Sequence, residues 1–229
     1  MKIHGLQKLT LLDYPQKTAC TLFSGGCNLR CPFCHNRDLV LGNFPPEISE
    51  EKILSFLEKR KGILDGVCIT GGEPLLNEDI ACFIKKIRNI GYLVKLDTNG
   101  TNPRLLKELV RDGLIDYVAM DIKNSKKMYA QTVGIKDFDL SPVEESVEFL
   151  KSCGVEYEFR TTIVSEFHSK ESIIELLEWI RGAKRYFLQN FIDSGNLLTP
   201  GLSAVSEDEL KSFLELSKKY VEHVSIRGI

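Results

Sequence analysis

Three cysteines lie close together near the start of the chain, within the segment from Gly25 to Cys34. Their spacing is C-x3-C-x2-C, which places three thiol side chains within eight residues. Thiolates packed so closely repel one another unless a metal centre neutralises their charge. A four-iron cluster held by three such ligands leaves one iron without protein coordination, and that iron can bind a small molecule. Cys27, Cys31 and Cys34 are therefore candidate ligands of a metal centre.

A zinc site completed by His35, or a coincidence of spacing, is the alternative interpretation. Zinc sites usually combine a C-x2-4-C element with a second ligand pair further along the chain, and no such pair follows Cys34. His35 is also directly adjacent to Cys34, an awkward position for ligating the same ion. The spacing therefore makes zinc the less favoured metal. The remaining four cysteines are expected to be small buried apolar residues: Cys20, Cys68, Cys82 and Cys153.

A second candidate segment, from Thr70 to Pro74, follows a predicted strand and reads Thr-Gly-Gly-Glu-Pro. The adjacent Gly71 and Gly72 would let the backbone approach a ligand closely. Glu73 offers a hydrogen-bond acceptor for an ammonium group. An ordinary strand-to-helix turn, with proline at the helix start, is the alternative interpretation of the same residues.

Three later predicted strands also carry polar residues where a ligand could bind. Asp97 opens the sequence Asp-Thr-Asn-Gly after the third strand, where Asp and Asn can also simply form a turn. Asp121 and Lys123 end the fourth strand and point the same way, because side chains alternate along a strand. Arg160 lies in an apolar, β-branched fifth strand, where a buried cation needs an anion. A bound ligand or internal salt bridges would satisfy these charges.

Short apolar or β-branched runs that alternate with amphipathic helical stretches must position these residues. The predicted strands are residues 17–23, 66–70, 92–97, 116–122, 155–164 and 186–191, with a last short one at 221–226. Ser49 is expected to cap the first helix. Six β-then-α units predict a parallel sheet with outer helices, short of the eight units of a closed barrel. We therefore expect an α/β fold, a partial (β/α)6 TIM-like barrel in a single domain over residues 1–229, with ligands at the carboxyl ends of the strands.

The composition excludes several classes of protein. Among the 229 residues, Lys and Arg total 30 and Asp and Glu total 32, which gives a net charge of −2. Proteins that wrap nucleic acid usually carry a basic surplus, so no nucleic-acid partner is expected. No apolar run approaches the roughly 20 residues of a membrane span, and no signal peptide opens the chain, so no membrane partner is expected. The expected location is the cytoplasm, where cysteines stay reduced.

The cysteine segment resembles the signature of the radical S-adenosylmethionine (SAM) superfamily, in which an aromatic residue, here Phe33, precedes the third cysteine. The resemblance implies a [4Fe–4S] cluster whose open iron chelates the amino and carboxylate groups of SAM. Reduction of that cluster would cleave SAM to methionine and a 5′-deoxyadenosyl radical. The resemblance also implies that Gly71, Gly72 and Glu73 form the site for the SAM amino group. The fold of this superfamily is a six-unit partial barrel.

Other segments resemble the glycyl-radical-enzyme activating enzymes within that superfamily. The shared segments are the leader Leu-Asp-Tyr-Pro at 12–15, Cys-His-Asn at 34–36, Asp-Thr-Asn-Gly at 97–100 and Asp-x-Lys at 121–123. The resemblance implies that Asp97, Thr98 and Asp121 help hold a monovalent cation near the SAM carboxylate. It also places four further side chains at the SAM site: Asn99, Lys123, Arg160 and Gln189. Gln189 stands where a related activator has His.

Overall, the chain most resembles activators of anaerobic ribonucleoside-triphosphate reductase. That resemblance implies hydrogen abstraction from a glycine Cα in a partner protein, with flavodoxin or ferredoxin as the electron donor. Activation of pyruvate formate-lyase or another glycyl radical enzyme is the first alternative. A small-molecule radical SAM enzyme, such as a 7-carboxy-7-deazaguanine synthase, is less favoured, and a non-catalytic iron–sulfur or zinc protein is a further alternative. No cysteine lies between Cys34 and Cys68, so the ferredoxin-like insertion of some activators is not expected.

Overall fold

A computed structural model describes residues 1–227 of the chain, and strands and helices alternate through most of that range. The strands are β1 (Ile3–Thr10), β2 (Ala19–Ser24), β3 (Gly66–Gly71), β4 (Leu93–Thr98), β5 (Tyr117–Asp121), β6 (Glu156–Ile163), β7 (Arg185–Asn190) and β8 (His223–Arg227). The helices are α1 (Arg37–Leu41), α2 (Glu50–Lys59), α3 (Ile80–Ile90), α4 (Pro103–Arg111), α5 (Tyr129–Thr132), α6 (Ser141–Ser152), α7 (Lys170–Trp179) and α8 (Glu207–Ser217). A 3₁₀ turn at Pro74–Leu76 lies between β3 and α3.

The strands form one sheet in the order of the chain, from β1 to β8. β1 runs antiparallel to β2, whereas β2, β3 and β4 are parallel neighbours, and so are β6, β7 and β8. In the parallel registers, Ala19 lies opposite Gly66 and Arg185 lies opposite His223. Strands that follow one another in sequence order, with helices between them, are the product of repeated β-α units. The predicted alternation and the mostly parallel sheet are confirmed.

The chain divides into two compact units. The first unit comprises residues 1–28, 38–98 and 102–119, and it contains β1 to β4 together with α2 to α4. Within the described residues, the second unit comprises 29–37, 99–101 and 120–227, and it contains β6 to β8 together with α5 to α8. The expectation of one domain over the whole chain stays a prediction.

Helix α3 and strand β3 show why these sequences fold as they do. The buried residues of α3 recur at intervals of three and four, which places them on one helix face: Ile80, Phe83, Ile84, Ile87 and Ile90. The helix ends at Gly91, whose φ of 111° is left-handed and whose N–H donates to the Arg88 carbonyl at 2.8 Å. β3 instead carries a continuous buried run, Val67–Ile69, which is typical of a strand covered on both faces.

Most predicted elements lie where the sequence places them. Ser49 caps α2 as expected, and its side chain accepts a backbone N–H of the first turn. The sequence does not predict β1, because two irregularities interrupt its register against β2 and its side chains do not alternate simply between buried and exposed. Cys20 and Cys68 are buried as expected, but Cys153 is half-buried and Cys82 is exposed, because Cys82 lies on the outer face of α3. No helix among residues 1–227 is long and apolar enough to cross a membrane.

Candidate active site

In the first unit, the two glycines after β3 press against the backbone that leads into the cysteine segment. A Cβ on Gly71 would lie 2.3 Å from the Ser24 carbonyl oxygen, and a Cβ on Gly72 would lie 1.9 Å from the Gly26 carbonyl oxygen. The Gly72 N–H donates to the Ser24 carbonyl at 3.0 Å, and the Glu73 N–H donates to the Gly26 carbonyl at 2.8 Å. Only glycine permits backbones to pack this closely. The glycine turn therefore fixes the chain directly before Cys27.

Glu73 is a buried carboxylate, only 1 % exposed, with a defined orientation. Its Oε1 accepts from the Leu75 N–H at 3.0 Å and from the Thr98 hydroxyl at 2.8 Å. The first bond caps the 3₁₀ turn that begins at Pro74, so the ordinary-turn interpretation is correct for the local structure. The second bond ties the end of β3 to the end of β4. Glu73 is therefore a fixed acceptor, while its contact with the SAM amino group stays a prediction.

β4 carries an ion pair that the sequence analysis missed. Lys95 is 1 % exposed, and its ammonium donates to Asp97 Oδ1, two residues further along the same strand face. The Cys68 sulfur lies 3.7 Å from Asp97 Oδ1 and 3.8 Å from Lys95 Nζ. Asp97 thus already holds a positive charge supplied by the chain. The family resemblance implies a monovalent cation at Asp97, where the Lys95 ammonium already supplies one positive charge. Binding of that cation stays a prediction.

Asn99 and Gly100, in the second unit, form a local turn. Asn99 Oδ1 accepts from the Thr101 N–H at 3.0 Å and from the Thr101 hydroxyl at 2.7 Å. Gly100 has a left-handed φ of 78°, and a Cβ there would lie 2.1 Å from Met120 Cε. The Ser146 hydroxyl donates to the Gly100 carbonyl at 2.7 Å. Turn chemistry therefore accounts for Asn99, and its role in SAM binding stays a prediction.

The part of the cysteine segment in the second unit is anchored by backbone hydrogen bonds. The Arg30 N–H donates to the Val133 carbonyl at 2.9 Å, and the Pro32 carbonyl accepts from the Thr199 N–H at 3.0 Å. The Cys34 N–H donates to the Cys31 carbonyl at 3.0 Å. These bonds hold the second and third predicted ligands in one tight turn of backbone.

Phe33 occupies the interior of the second unit. It is 3 % exposed, and its ring lies 5.9 Å from that of Phe167, with the two ring planes tilted. The burial pins the cysteine turn to the core, because an aromatic side chain buries a large apolar surface. The structure thus gives Phe33 a packing role beside the role in the SAM site that the resemblance implies.

The thiols of the cysteine segment suit a metal centre. None of the seven cysteines, all of which lie within the described residues, forms a disulfide. Burial raises the pKa of the Cys34 thiol, and the Asn36 backbone and the Lys123 ammonium offset this effect only in part. A thiolate at Cys34 therefore needs further positive charge, such as that of bound iron.

No three His, Cys, Asp or Glu side chains between residues 1 and 227 converge on a position for a single metal ion. A four-iron cluster does not require such convergence, because each of its cysteines binds a different iron.

Asp121, Lys123 and Arg160 form a charge cluster in the second unit. Asp121 Oδ1 accepts from Arg160 Nε at 2.9 Å, and Asp121 Oδ2 accepts from Lys123 Nζ at 3.0 Å. Burial alone would raise the pKa of Asp121, but the two cations outweigh it and hold that pKa at about 2. Burial alone would lower the pKa of Lys123, but the Asp121 carboxylate raises it above its usual range. The internal salt bridges weighed in the sequence analysis are present, and contact of Lys123 and Arg160 with SAM stays a prediction.

His168 hydrogen-bonds to the backbone of this charge cluster, and the sequence did not predict that role. Its Nδ1 accepts from the Val164 N–H at 3.1 Å, so the proton lies on Nε2, which donates to the Lys123 carbonyl at 2.9 Å. Burial lowers the pKa of His168 and favours the neutral ring. A lone histidine in a loop carries no pattern that points to this role. The contact is visible only in the folded chain.

A cavity of about 360 Å³ opens at the carboxyl ends of β6, β7 and β8 in the second unit. Gln189, His35 and Asn190 line it. The buried Asn190 Oδ1 has no hydrogen-bond partner among the described residues. Arg227, also at the cavity, donates two hydrogen bonds of 2.6 and 2.9 Å to the fully buried Glu158. The cavity is large enough for a small ligand, and several polar side chains line it.

The comparison with known proteins agrees with these features. A sequence profile described as the radical SAM superfamily matches residues 21–180, more than half of the chain. The chain belongs to the radical SAM superfamily. The matched range contains the cysteine segment, the glycine turn and the charge cluster of this radical SAM protein. The resident groups of the superfamily are a [4Fe–4S] cluster and SAM.

Individual relatives of this radical SAM protein extend over most of its length. A Methanocaldococcus jannaschii protein named "Putative glycyl-radical enzyme activating enzyme" is 32% identical over 235 residues, 99% of this chain and 96% of its own. A pyruvate formate-lyase-activating enzyme of Clostridium pasteurianum is 28% identical over 192 residues, 80% of this chain and 77% of its own. A crystal structure of Streptococcus suis SuiB bound to precursor peptide SuiA matches 91% of this chain at a TM-score of 0.72 and 16% identity. This chain covers 48% of the SuiB chain, and at 16% identity the likeness shows the fold alone.

The comparisons confirm the predicted superfamily, the α/β fold and the radical SAM enzyme class. The structure brings Glu73 and Thr98 together in the first unit, and Asp121, Lys123 and Arg160 together in the second. The contacts of individual residues with the cluster and with SAM stay predictions.

Proposed function

We propose that this radical SAM enzyme generates a glycyl radical on a partner protein. The observation that carries the proposal is the similarity to the Methanocaldococcus jannaschii protein, which covers 99% of this chain and 96% of that one. A match over nearly the whole of both chains extends well beyond the cysteine segment. A match limited to the cysteine segment would support only the superfamily.

Cys27, Cys31 and Cys34 would hold the cluster in this proposal. The cluster and SAM would together supply the one-electron cleavage of SAM to methionine and a 5′-deoxyadenosyl radical, which would be the hydrogen acceptor for a glycine Cα. The backbone contact between Gly72 and Gly26 supports the ligand role of Cys27, because that contact fixes Gly26, the residue directly before Cys27. A partner loop that enters the site would be both the substrate and the barrier to water.

Charges on the second unit support the proposed contact with the SAM carboxylate. Lys123 and Arg160 carry two positive charges and Asp121 carries one negative charge, so these three side chains have a net charge of +1. A cluster with this balance attracts an anionic group. The oriented carboxylate of Glu73 would accept from the SAM ammonium, and Thr98 would act on SAM through Glu73.

The proposed partner is an anaerobic ribonucleoside-triphosphate reductase, on overall resemblance. Pyruvate formate-lyase is the second candidate, because the Clostridium pasteurianum activating enzyme matches 80% of this chain. The proposal includes flavodoxin or ferredoxin as the electron donor and the cytoplasm as the location. The monovalent cation of the family resemblance is not favoured at Asp97, which already pairs with Lys95.

The test mixes anaerobically reduced, cluster-loaded enzyme with SAM and each candidate partner. The expected result is a doublet EPR signal on one partner, lost when the glycine of its radical loop is changed to alanine. Cys31→Ser, which removes a predicted cluster ligand, should give no signal, and Cys153→Ala is the matched control. SAM cleavage that only a small metabolite stimulates, with no radical on any partner, would contradict the proposal.

A further inference from the structure

The ion pair on β4 is built into the interior of the first unit. Lys95 and Asp97 lie two residues apart and therefore share one face of the strand. Lys95 is 1 % exposed and the Asp97 side chain 13 % exposed, and the buried Cys68 sulfur lies within 3.8 Å of both charged groups. A lysine ammonium is expensive to bury unless an anion compensates it. The Asp97 carboxylate is therefore the anion that compensates the burial of the Lys95 ammonium.

We propose that the Lys95 ammonium takes the place of the monovalent cation that the family resemblance assigns to Asp97. The inference rests on the proposed function, since the cation is expected near the SAM carboxylate. An ammonium group is a compact single positive charge with three donors, so it can neutralise the same carboxylate that Na⁺ or K⁺ would. A second cation on that carboxylate would meet like-charge repulsion from Lys95. This enzyme therefore needs no added monovalent metal ion at Asp97.

The first test measures SAM affinity of the wild-type, cluster-loaded enzyme in tetramethylammonium, sodium and potassium chloride at equal ionic strength. Tetramethylammonium is too large and carries no donors, so it cannot replace a bound ion. The expected dissociation constants agree within about twofold among the three salts. A roughly tenfold gain in affinity on adding Na⁺ or K⁺ would overturn the proposal.

The second test removes the ammonium with Lys95→Met, which keeps an unbranched side chain of similar length. In tetramethylammonium chloride, SAM affinity should fall roughly tenfold or more, and K⁺, Na⁺ or NH₄⁺ should restore it. Lys85→Met, at an exposed position on α3, is the matched control and should respond like the wild type. The double variant Lys95→Met with Asp97→Asn should lose the salt response, because residue 97 no longer carries the carboxylate that the ion would neutralise. A single Lys95→Met variant indifferent to these ions would overturn the proposal.

A third measurement needs no SAM. The thermal midpoint of the cluster-loaded Lys95→Met enzyme should rise when K⁺ or Na⁺ replaces tetramethylammonium, whereas that of the wild type should not. If Lys95→Met does not fold, Lys95→Gln replaces it, and the wild-type titration still decides independently. Absence of SAM binding in every salt would contradict the proposed function alone. A wild-type midpoint that rises with K⁺ or Na⁺ would overturn the role of Lys95.

Discussion

Replacing Gly72 with alanine tests whether the backbone contact at the glycine turn shapes the cluster site. A Cβ at this position would lie 1.9 Å from the Gly26 carbonyl oxygen and 2.6 Å from its carbonyl carbon. A close carbon–oxygen contact is about 3.3 Å, so one of the two backbone segments must move by about 1.4 Å. Because Gly26 directly precedes Cys27, the movement displaces a predicted cluster ligand.

We expect Gly72→Ala to lose cluster binding and SAM cleavage rather than the ability to fold. Forcing an extra atom into a packed region costs about 1–3 kcal/mol, which is less than the 5–15 kcal/mol of a typical domain, so Gly72→Ala should still fold. A displacement of about 1 Å at a reacting centre can lower the rate by roughly 100-fold. We therefore expect less iron per chain in Gly72→Ala and SAM cleavage reduced by roughly 100-fold or more.

The assay combines iron and sulfide content, EPR of the reduced cluster, 5′-deoxyadenosine release and urea unfolding. Gly154→Ala is the matched control, because a Cβ there has no neighbour within 4 Å and the residue is not in the left-handed region. Gly154→Ala should keep the full cluster and the wild-type rate. The reasoning is refuted if Gly72→Ala matches Gly154→Ala in both cluster content and SAM cleavage.

Three further predictions concern the cysteines and the charge cluster. Cys31→Ser should abolish the cluster absorbance, whereas Cys153→Ala should retain it, and a full cluster in Cys31→Ser would contradict the ligand assignment. Arg160→Ala should weaken SAM binding about 10- to 150-fold in a titration, the cost of a lost charge-assisted hydrogen bond, and unchanged affinity would make Arg160 structural. The pKa of Asp121 is about 2 when folded and 3.8 in its unperturbed form. Its ionised form therefore contributes about 2 kcal/mol to the free energy of unfolding above about pH 4, and this is lost as the pH falls towards 2. Asp121→Asn should remove that part of the acid profile in urea unfolding, and an unaltered profile would argue against the ion pairs.

Local periodicity determined most of the fold. The alternation of apolar runs with helical stretches and the capping position of Ser49 are properties of neighbouring residues, so the sequence predicts both. The sequence did not predict β1, because an edge strand with an irregular register shows no simple alternation of apolar and polar residues. The three closely spaced cysteines are likewise recognisable in the sequence as candidate metal ligands, because all three lie in one short segment of the chain.

Tertiary structure alone decided which groups meet. The sequence places Asp121 and Arg160 on strands, but their ion pair joins residues 39 apart in the chain. His168 reaches the Lys123 carbonyl across 45 residues, and no sequence pattern indicates that contact. The order of the strands and the direction of each side chain set these distances. Because electrostatic energy and hydrogen bonding depend on such distances, only the folded chain shows whether a charge meets an internal partner or is left for a ligand.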